Sequence, residues 1–184
     1  MNLYFNTVNS FKAAEVKVFL EGSGLDLRIV GQAIQEILHI DLHVIVKDKA
    51  LKAYEKVGVP CAVEHGGLQI RDLKMFPGGL SKVVWDTVGE KLVGFLSASD
   101  SREAVAKSVI GYCDGRRVHL FDGETKGMIA PSAKGDYRFQ WDPIFIPEGD
   151  TRTYGEMGFP EKRKYSQAAK AWTKLVEHLK SVGH

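Results

Sequence analysis

The segment Phe139-Gln140-Trp141-Asp142-Pro143 concentrates more chemistry than any other stretch of this chain. Pro143 has a fixed φ and no backbone N–H, and a residue before proline is pushed toward extended backbone. Asp142 is therefore expected to stand outside any helix. The segment then presents aromatic faces and a carboxylate together. Such rings stack on bases or fill cores, and a carboxylate accepts N–H bonds from a purine edge. An aromatic-rich strand ending at a proline also makes an ordinary core, and this stretch alone leaves both readings open.

Four other constellations carry chemistry. Thr7-x-Asn9-x-x-Lys12 lies where a strand should enter a helix. Unpaired N–H groups and the positive dipole end at such a junction bind phosphate, and Lys12 adds a point charge; the ordinary alternative is a helix cap with a surface lysine. Glu64-His65-Gly66-Gly67 puts an acid and an imidazole at a strand end, beside glycines that allow a ligand close approach. Phe76-Pro77-Gly78-Gly79, with Ser81 and Lys82, is either a loop that closes on a ligand or a Pro-Gly turn. Glu161-Lys162-Arg163-Lys164, before Ser166, offers cations that hold a phosphate or are simply solvated.

The elements that must position these groups follow from pattern. Leu3–Phe5 reads as a buried strand, Ser10 as an N-cap, and Phe11–Leu20 as a helix ended by Gly22 and Gly24. Leu25–Val30 is a second strand. Asp41–Val57 has helical spacing and stops at Gly58. Cys61–Val63 and Leu68–Ile70 read as strands around a Gly66-Gly67 turn. A loop over 76–79 precedes a helix from about Ser81, and another helix is expected over Lys91–Ser97. Ala104–Cys113, Arg117–Phe121 and Glu124–Ile129 read as successive strands, with Asp122-Gly123 as the turn between the last two. Gln167–Val182 reads as an amphipathic closing helix. The order points to an α/β fold with a mixed sheet.

With 184 residues, the chain suffices for one domain of ordinary size or two small lobes sharing a sheet. It is 44% hydrophobic and 26% charged, with no apolar run long enough to span a bilayer. A net charge of +2 argues against a nucleic-acid polymer as partner and suits a small anionic ligand better. Met1-Asn2-Leu3-Tyr4-Phe5 lacks the pattern of a signal peptide, and Cys61 and Cys113 form neither a disulfide framework nor a zinc cluster. A cytoplasmic location is the expectation.

Taken in order, these pieces resemble the family of inosine triphosphate pyrophosphatases, which hydrolyse aberrant purine nucleoside triphosphates. The resemblance rests on Thr7-x-Asn9-x-x-Lys12, Glu36 followed by Asp41-Leu42, Lys49-Ala50, Glu64, Phe76-Pro77-Gly78, Lys82, Phe139-x-Trp141-Asp142-Pro143, Tyr154-x-Glu156-Met157, Lys162 and Ser166, and spans nearly the whole chain. It implies a single domain over 1–184, built as an elongated mixed α/β sheet flanked by helices, with two lobes and a nucleotide cleft between them. It implies cleavage between the α- and β-phosphates with magnesium as cofactor, and a homodimer. By position, Thr7, Asn9, Lys12, Lys49 and Lys82 would hold the triphosphate. Glu36 and Glu64 would bind metal. Phe139 would stack on the base, with Trp141, Asp142 and Lys162 shaping and reading it.

Three positions depart from the family pattern. Where the family has Glu-Asp-Ser/Thr-Gly-Leu, this chain has Glu64-His65-Gly66-Gly67-Leu68. His65 thus replaces an Asp credited with metal binding and water activation. Imidazole is a poor magnesium ligand and suits manganese better, but a histidine can act as general base near neutral pH, so His65 and Glu36 are the expected catalytic residues. Gly66 keeps only its backbone N–H for the substrate. The family's Ser-His-Arg is Ser166-Gln167-Ala168, so a guanidinium that reads the 6-keto edge is gone and Gln167 is left to donate or accept. The alternative to an active pyrophosphatase is a nucleotide-binding paralogue with weak or no catalysis, because His65 stands where the family has its catalytic Asp.

Overall fold

The computed structural model describes residues 2–137 and 139–183. Strand β1 (Asn2–Asn6) pairs in parallel with β2 (Asp26–Val30), and helix α1 (Ser10–Phe19) connects them. Helix α2 (Leu42–Val57) leads into β3 (Cys61–Ile70), which pairs in parallel with β1 and antiparallel with β4 (Phe76–Gly78). After α3 (Ser81–Val88) and a 3₁₀ segment over Gly89–Phe95 come the long strands β5 (Glu103–Cys113) and β6 (Val118–Ile129). Strand β7 (Phe145–Pro147) pairs antiparallel with β6, and α4 (Phe159–Tyr165) and α5 (Gln167–Ser181) close the chain. The sheet order is β2-β1-β3-β5-β6-β7, with β4 on β3, so the fold is mixed α/β with seven strands among the described residues and flanking helices.

Two compact units divide the chain. One comprises Met1–His65, Ser108–Gly123 and Ala168–His184; the other comprises Gly66–Lys107 and Glu124–Gln167. Strands β3, β5 and β6 each begin in one unit and end in the other.

In the first unit, α2 buries Leu42, Ile45, Val46, Ala50 and Ala53, one stripe at helical spacing. Gly111 lets β5 lie against it, because a Cβ there would meet Val46 Cγ1 at 2.7 Å. Helix α5 buries Ala171, Trp172, Leu175 and Leu179, and Trp172 packs edge-on to Phe5 with centroids 4.9 Å apart. In the second unit, Trp141, Phe145 and Tyr154 are packed among Leu68, Ile70, Leu92, Ala106, Ile129 and Ile144.

Several elements differ from the sequence expectation. The α1 cap is Asn9 rather than Ser10: its side chain accepts from Lys12 N, which an amide oxygen reaches more readily from this position. Residues 61–70 form one strand, because neither Gly66 nor Gly67 takes the left-handed backbone of a turn. Phe76–Gly78 is a short strand, not a loop, and its Phe76–Pro77 peptide is cis. The helix expected over Lys91–Ser97 is the 3₁₀ segment, and β6 runs straight through Asp122-Gly123. A two-residue hairpin turn of the Asp-Gly type needs positive φ, which Gly123 lacks. The chain reverses instead at the other Asp-Gly pair, where Gly115 has φ +92° and Asp114 Oδ1 accepts from Arg116 N at 2.8 Å and Arg117 N at 2.9 Å. Asp142 was expected outside helix but begins a 3₁₀ turn over Asp142–Ile144; Pro143 fits the opening of such a turn, where its missing N–H is not needed.

Candidate active site

In the first unit five predicted residues form one chain of charge contacts. Lys12, on the first turn of α1, has its Nζ 3.6 Å from Glu64 Oε1. Lys49, on α2, donates from Nζ to Glu36 Oε1 at 2.6 Å and to the Glu64 carbonyl at 3.2 Å. His65 Nδ1 lies 3.3 Å from Glu36 Oε2. The His65 hydrogen bond, and then Lys49, hold the Glu36 carboxyl down to about 2 against the opposing effect of partial burial. Burial, with Lys12's like charge beside it, pushes the Lys49 ammonium below its usual range, and Glu36 and Glu64 partly offset this. Two carboxylates and two ammonium groups are thus concentrated in a mostly buried cluster, where fields are stronger than in water.

The residues that hold this cluster were not picked out from the sequence. Ser108 is buried on β5 and donates to Glu64 Oε1 at 2.8 Å, fixing the carboxylate. Asn6 ends β1 and clamps Gln32 twice, accepting from its N at 2.9 Å and donating to its O at 3.0 Å. Lys52 Nζ and Lys56 Nζ bind the carbonyls of Gln35 and Ala33 at 3.2 and 2.6 Å. Lys49, Lys52 and Lys56 share one face of α2, so that face tethers the irregular segment carrying Glu36. Helical spacing of the three lysines was the available signal. Thr7 and Asn9 serve the local turn: Thr7 Oγ1 accepts from Asn9 N at 3.1 Å, and Asn9 Oδ1 accepts from Lys12 N at 3.1 Å. Asp41 is the α2 cap, accepting from His43 N at 2.8 Å.

In the second unit the predicted base-reading residues gather around Lys162. Its Nζ binds Asp142 Oδ2 at 2.5 Å and stands 4.6 Å above the Phe139 ring and 5.3 Å from that of Tyr154. Phe139 is half-buried, whereas Trp141 is 2% exposed and packs in the core, so Trp141 backs this group from behind. Burial raises the Asp142 carboxyl above its ordinary range even with Lys162 beside it. Asp142 Oδ1 and Trp141 Nε1 are buried with no hydrogen-bond partner among the described residues. A buried acceptor left unpaired costs roughly 1–3 kcal/mol, a cost that a ligand's N–H removes. Gln167 is buried and takes a hydrogen bond from the Tyr154 hydroxyl at 3.3 Å. Gly66 lies on β3 in this unit. Lys82, on α3, is two-thirds exposed, and its polar partner among the described residues is Asp86, one turn on, rather than any other predicted site residue.

Residues 3–178 match the Ham1 family. The chain belongs to the Ham1 family. Among its relatives, the dITP/XTP pyrophosphatase of Methanopyrus kandleri is 38% identical over 98% of this chain and 97% of its own. The inosine triphosphate pyrophosphatase of Tuber melanosporum is 36% identical, covering 97% of each chain. A solved HAM1 protein from Coxiella burnetii superposes with a TM-score of 0.83 at 25% identity, covering 98% of this chain and 99% of that one. Against the Ham1 protein of Staphylococcus aureus the TM-score is also 0.83, and at 20% identity this likeness speaks to the fold. Within this Ham1 chain, His65 stands beside Glu36, and Gln167 stands against Tyr154. No helix among the described residues is long and apolar enough to cross a membrane.

Proposed function

We propose that this Ham1-family chain hydrolyses aberrant purine nucleoside triphosphates, of the dITP, XTP and ITP class, to the monophosphate and pyrophosphate. The observation that carries this reading is the buried, unpartnered Asp142 Oδ1 beside the half-buried Phe139 ring and Lys162. A base N–H reaching this oxygen would supply its missing partner, in a chain whose relatives are named for dITP, XTP and inosine triphosphate.

In the first unit, Lys12 and Lys49 neutralise the triphosphate, with Thr7 and Asn9 at the entry of α1. Lys82, in the second unit, is a further proposed phosphate ligand once released from Asp86. Phosphoryl chemistry of this kind needs charge neutralisation and an oriented water rather than a covalent nucleophile. The oxygen donors suit magnesium, which is commonly held by one or two carboxylates, with waters and substrate phosphates completing its shell. Glu36, ionised throughout the neutral range, and Glu64 would hold it. Among the described residues no three His, Cys, Asp or Glu gather as a protein-only metal site. When bound, the cation supplies charge neutralisation at the phosphates. His65, oriented by Glu36, takes the proton of the attacking water; with an imidazole at this position manganese is also accepted. In the second unit, Phe139 stacks on the base, Asp142 accepts from its edge, Lys162 and Gln167 complete the contacts, and the Gly66 N–H faces the substrate. The reading includes a cytoplasmic homodimer, checked by light scattering and cell fractionation.

The test is pyrophosphate release from inosine, xanthosine, guanosine, adenosine and pyrimidine triphosphates, each with magnesium and with manganese. Preferential turnover of the inosine or xanthosine nucleotide is expected. A folded protein that releases pyrophosphate from none of them would overturn the proposal.

A further inference from the structure

We infer that the buried Ser108 hydroxyl is a positioning group: by satisfying Glu64 Oε1 it keeps the Lys12 ammonium from closing on that oxygen, and so leaves Lys12 ready for the substrate phosphates. The inference rests on the reading above that Lys12 grips the triphosphate, and concerns what holds it uncommitted until the substrate arrives.

Ser108 opens the fully buried part of β5, where Val109 and Ile110 follow it in the core. A hydroxyl in such a place needs a partner. The alternation of strand side chains supplies one. Ala62 of β3 and Ile110 of β5 share one core, and two residues along each strand Glu64 and Ser108 meet. Ser108 Oγ donates to Glu64 Oε1 at 2.8 Å, its one hydrogen bond among the described residues. The direction of this bond is settled, because a carboxylate only accepts.

The consequence is seen at the two lysines of the cluster. Lys49 is committed: its Nζ donates to Glu36 Oε1 at 2.6 Å and to the Glu64 carbonyl at 3.2 Å. Lys12 is not. Its Nζ stands 3.6 Å from Glu64 Oε1, beyond the hydrogen-bond range of about 2.7–3.2 Å, and it donates no hydrogen bond among the described residues. The Lys12 and Glu64 side chains keep 16% and 6% of their exposure, so little water reaches the pair.

Without the Ser108 hydroxyl, Oε1 would be a buried acceptor short of a donor, which is unfavourable. The donor at hand is Lys12, and a small rotation of its long side chain would convert the 3.6 Å approach into a direct, charge-assisted pair. An ammonium held that way must leave the carboxylate before it can turn to a phosphate. Ser108 therefore acts on the phosphates through Lys12, without touching them.

The experiment is a calorimetric cycle with inorganic tripolyphosphate and no added divalent cation, using wild type, Ser108→Ala, Lys12→Ala and the double variant. Ser108→Ala is expected to weaken binding about fivefold, the worth of a lysine–carboxylate pair that must first be broken. In the Lys12→Ala background the same substitution should change binding by less than about twofold. Ser108→Thr, which keeps the hydroxyl, should bind as wild type does. If Ser108→Ala does not fold, Ser108→Cys takes its place, since a thiol fills similar space and donates weakly. Equal losses in the two backgrounds would mark Ser108 as merely structural and overturn the inference. Unchanged binding in a folded Ser108→Ala or in Lys12→Ala would overturn it as well. Tripolyphosphate carries no base and the cycle needs no turnover, so a wild type that passes it but hydrolyses no nucleotide would count against the proposed function alone.

Discussion

Replacing Lys162 by Met should destabilise the protein by about 3 kcal/mol at pH 7, the lower end of the range for breaking one side of a buried ion pair. The lower end applies because the Lys162 and Asp142 side chains keep 12% and 8% of their exposure. Met retains the aliphatic stem that lies along Phe139 and Tyr154, so the loss isolates the charge. For a chain of this size, about 3 kcal/mol lowers the melting temperature by roughly 6–12 °C. The pH dependence gives a sharper check. Burial already raises the Asp142 carboxyl, and Lys162 is the main influence opposing it. Without Lys162 the folded-state value rises further. A carboxyl raised on folding favours the native state below its unfolded value of about 3.9, and that advantage is lost as pH rises through the folded value. The deficit of Lys162→Met relative to wild type should therefore be small near pH 4 and full at pH 7. Adding Asp142→Asn should recover much of it, because no charge is then stranded. The assay is urea unfolding of wild type, single and double variants at both pH values. A deficit under about 1 kcal/mol at pH 7, or equal deficits at the two pH values, would refute the reasoning.

Three further outcomes are expected. Glu36→Gln should flatten the acid limb of the stability curve: the carboxyl is lowered from 4.5 to about 2, so its contribution is present above 4.5 and is lost as pH falls toward about 2. The shift corresponds to about 3 kcal/mol at face value and, with 38% of the side chain in water, to about 1 kcal/mol; parallel curves for variant and wild type between pH 6 and 3, two pH values chosen for the ~4.5 reference, would contradict it. His65→Asp should raise magnesium-dependent turnover relative to manganese-dependent turnover, since a hard oxygen replaces an imidazole; a fall with magnesium would give His65 a role that carboxylate cannot fill. Lys12→Ala should weaken triphosphate binding about tenfold while leaving monophosphate binding nearly unchanged, and equal losses for both ligands would put the phosphates elsewhere.

The long, strongly patterned elements were legible in the sequence. Helix α2 follows from its apolar stripe, its Asp41 cap and Gly58, whose φ of +74° is the left-handed stop that glycine allows. Helix α5 follows from Ala171, Leu175 and Leu179 at helical spacing. Turns were less legible because the same dipeptide serves two backbones. Asp114-Gly115 turns and Asp122-Gly123 does not, although both read alike, since the choice depends on what each strand pairs with. The short elements, β4, β7 and α4, carry too few residues to show a period.

For the candidate site, residue type and spacing singled out Lys12, Glu64, His65, Phe139, Asp142 and Lys162, and the family resemblance added Lys49, Glu36 and Gln167. What each does to its neighbours was decided by the tertiary structure. That Lys49 bridges Glu36 to the Glu64 carbonyl, that Ser108 fixes Glu64, and that Asp142 Oδ1 is buried without a partner are facts of residues 13 to 44 positions apart brought within hydrogen-bond range or walled off from water. Desolvation and hydrogen-bond partners set charge state and polarity, and both depend on what the fold packs alongside. The sequence could therefore supply the carboxylate of Asp142 and the amide of Gln167, while only the fold decides that Lys162 packs against the first and Tyr154 against the second.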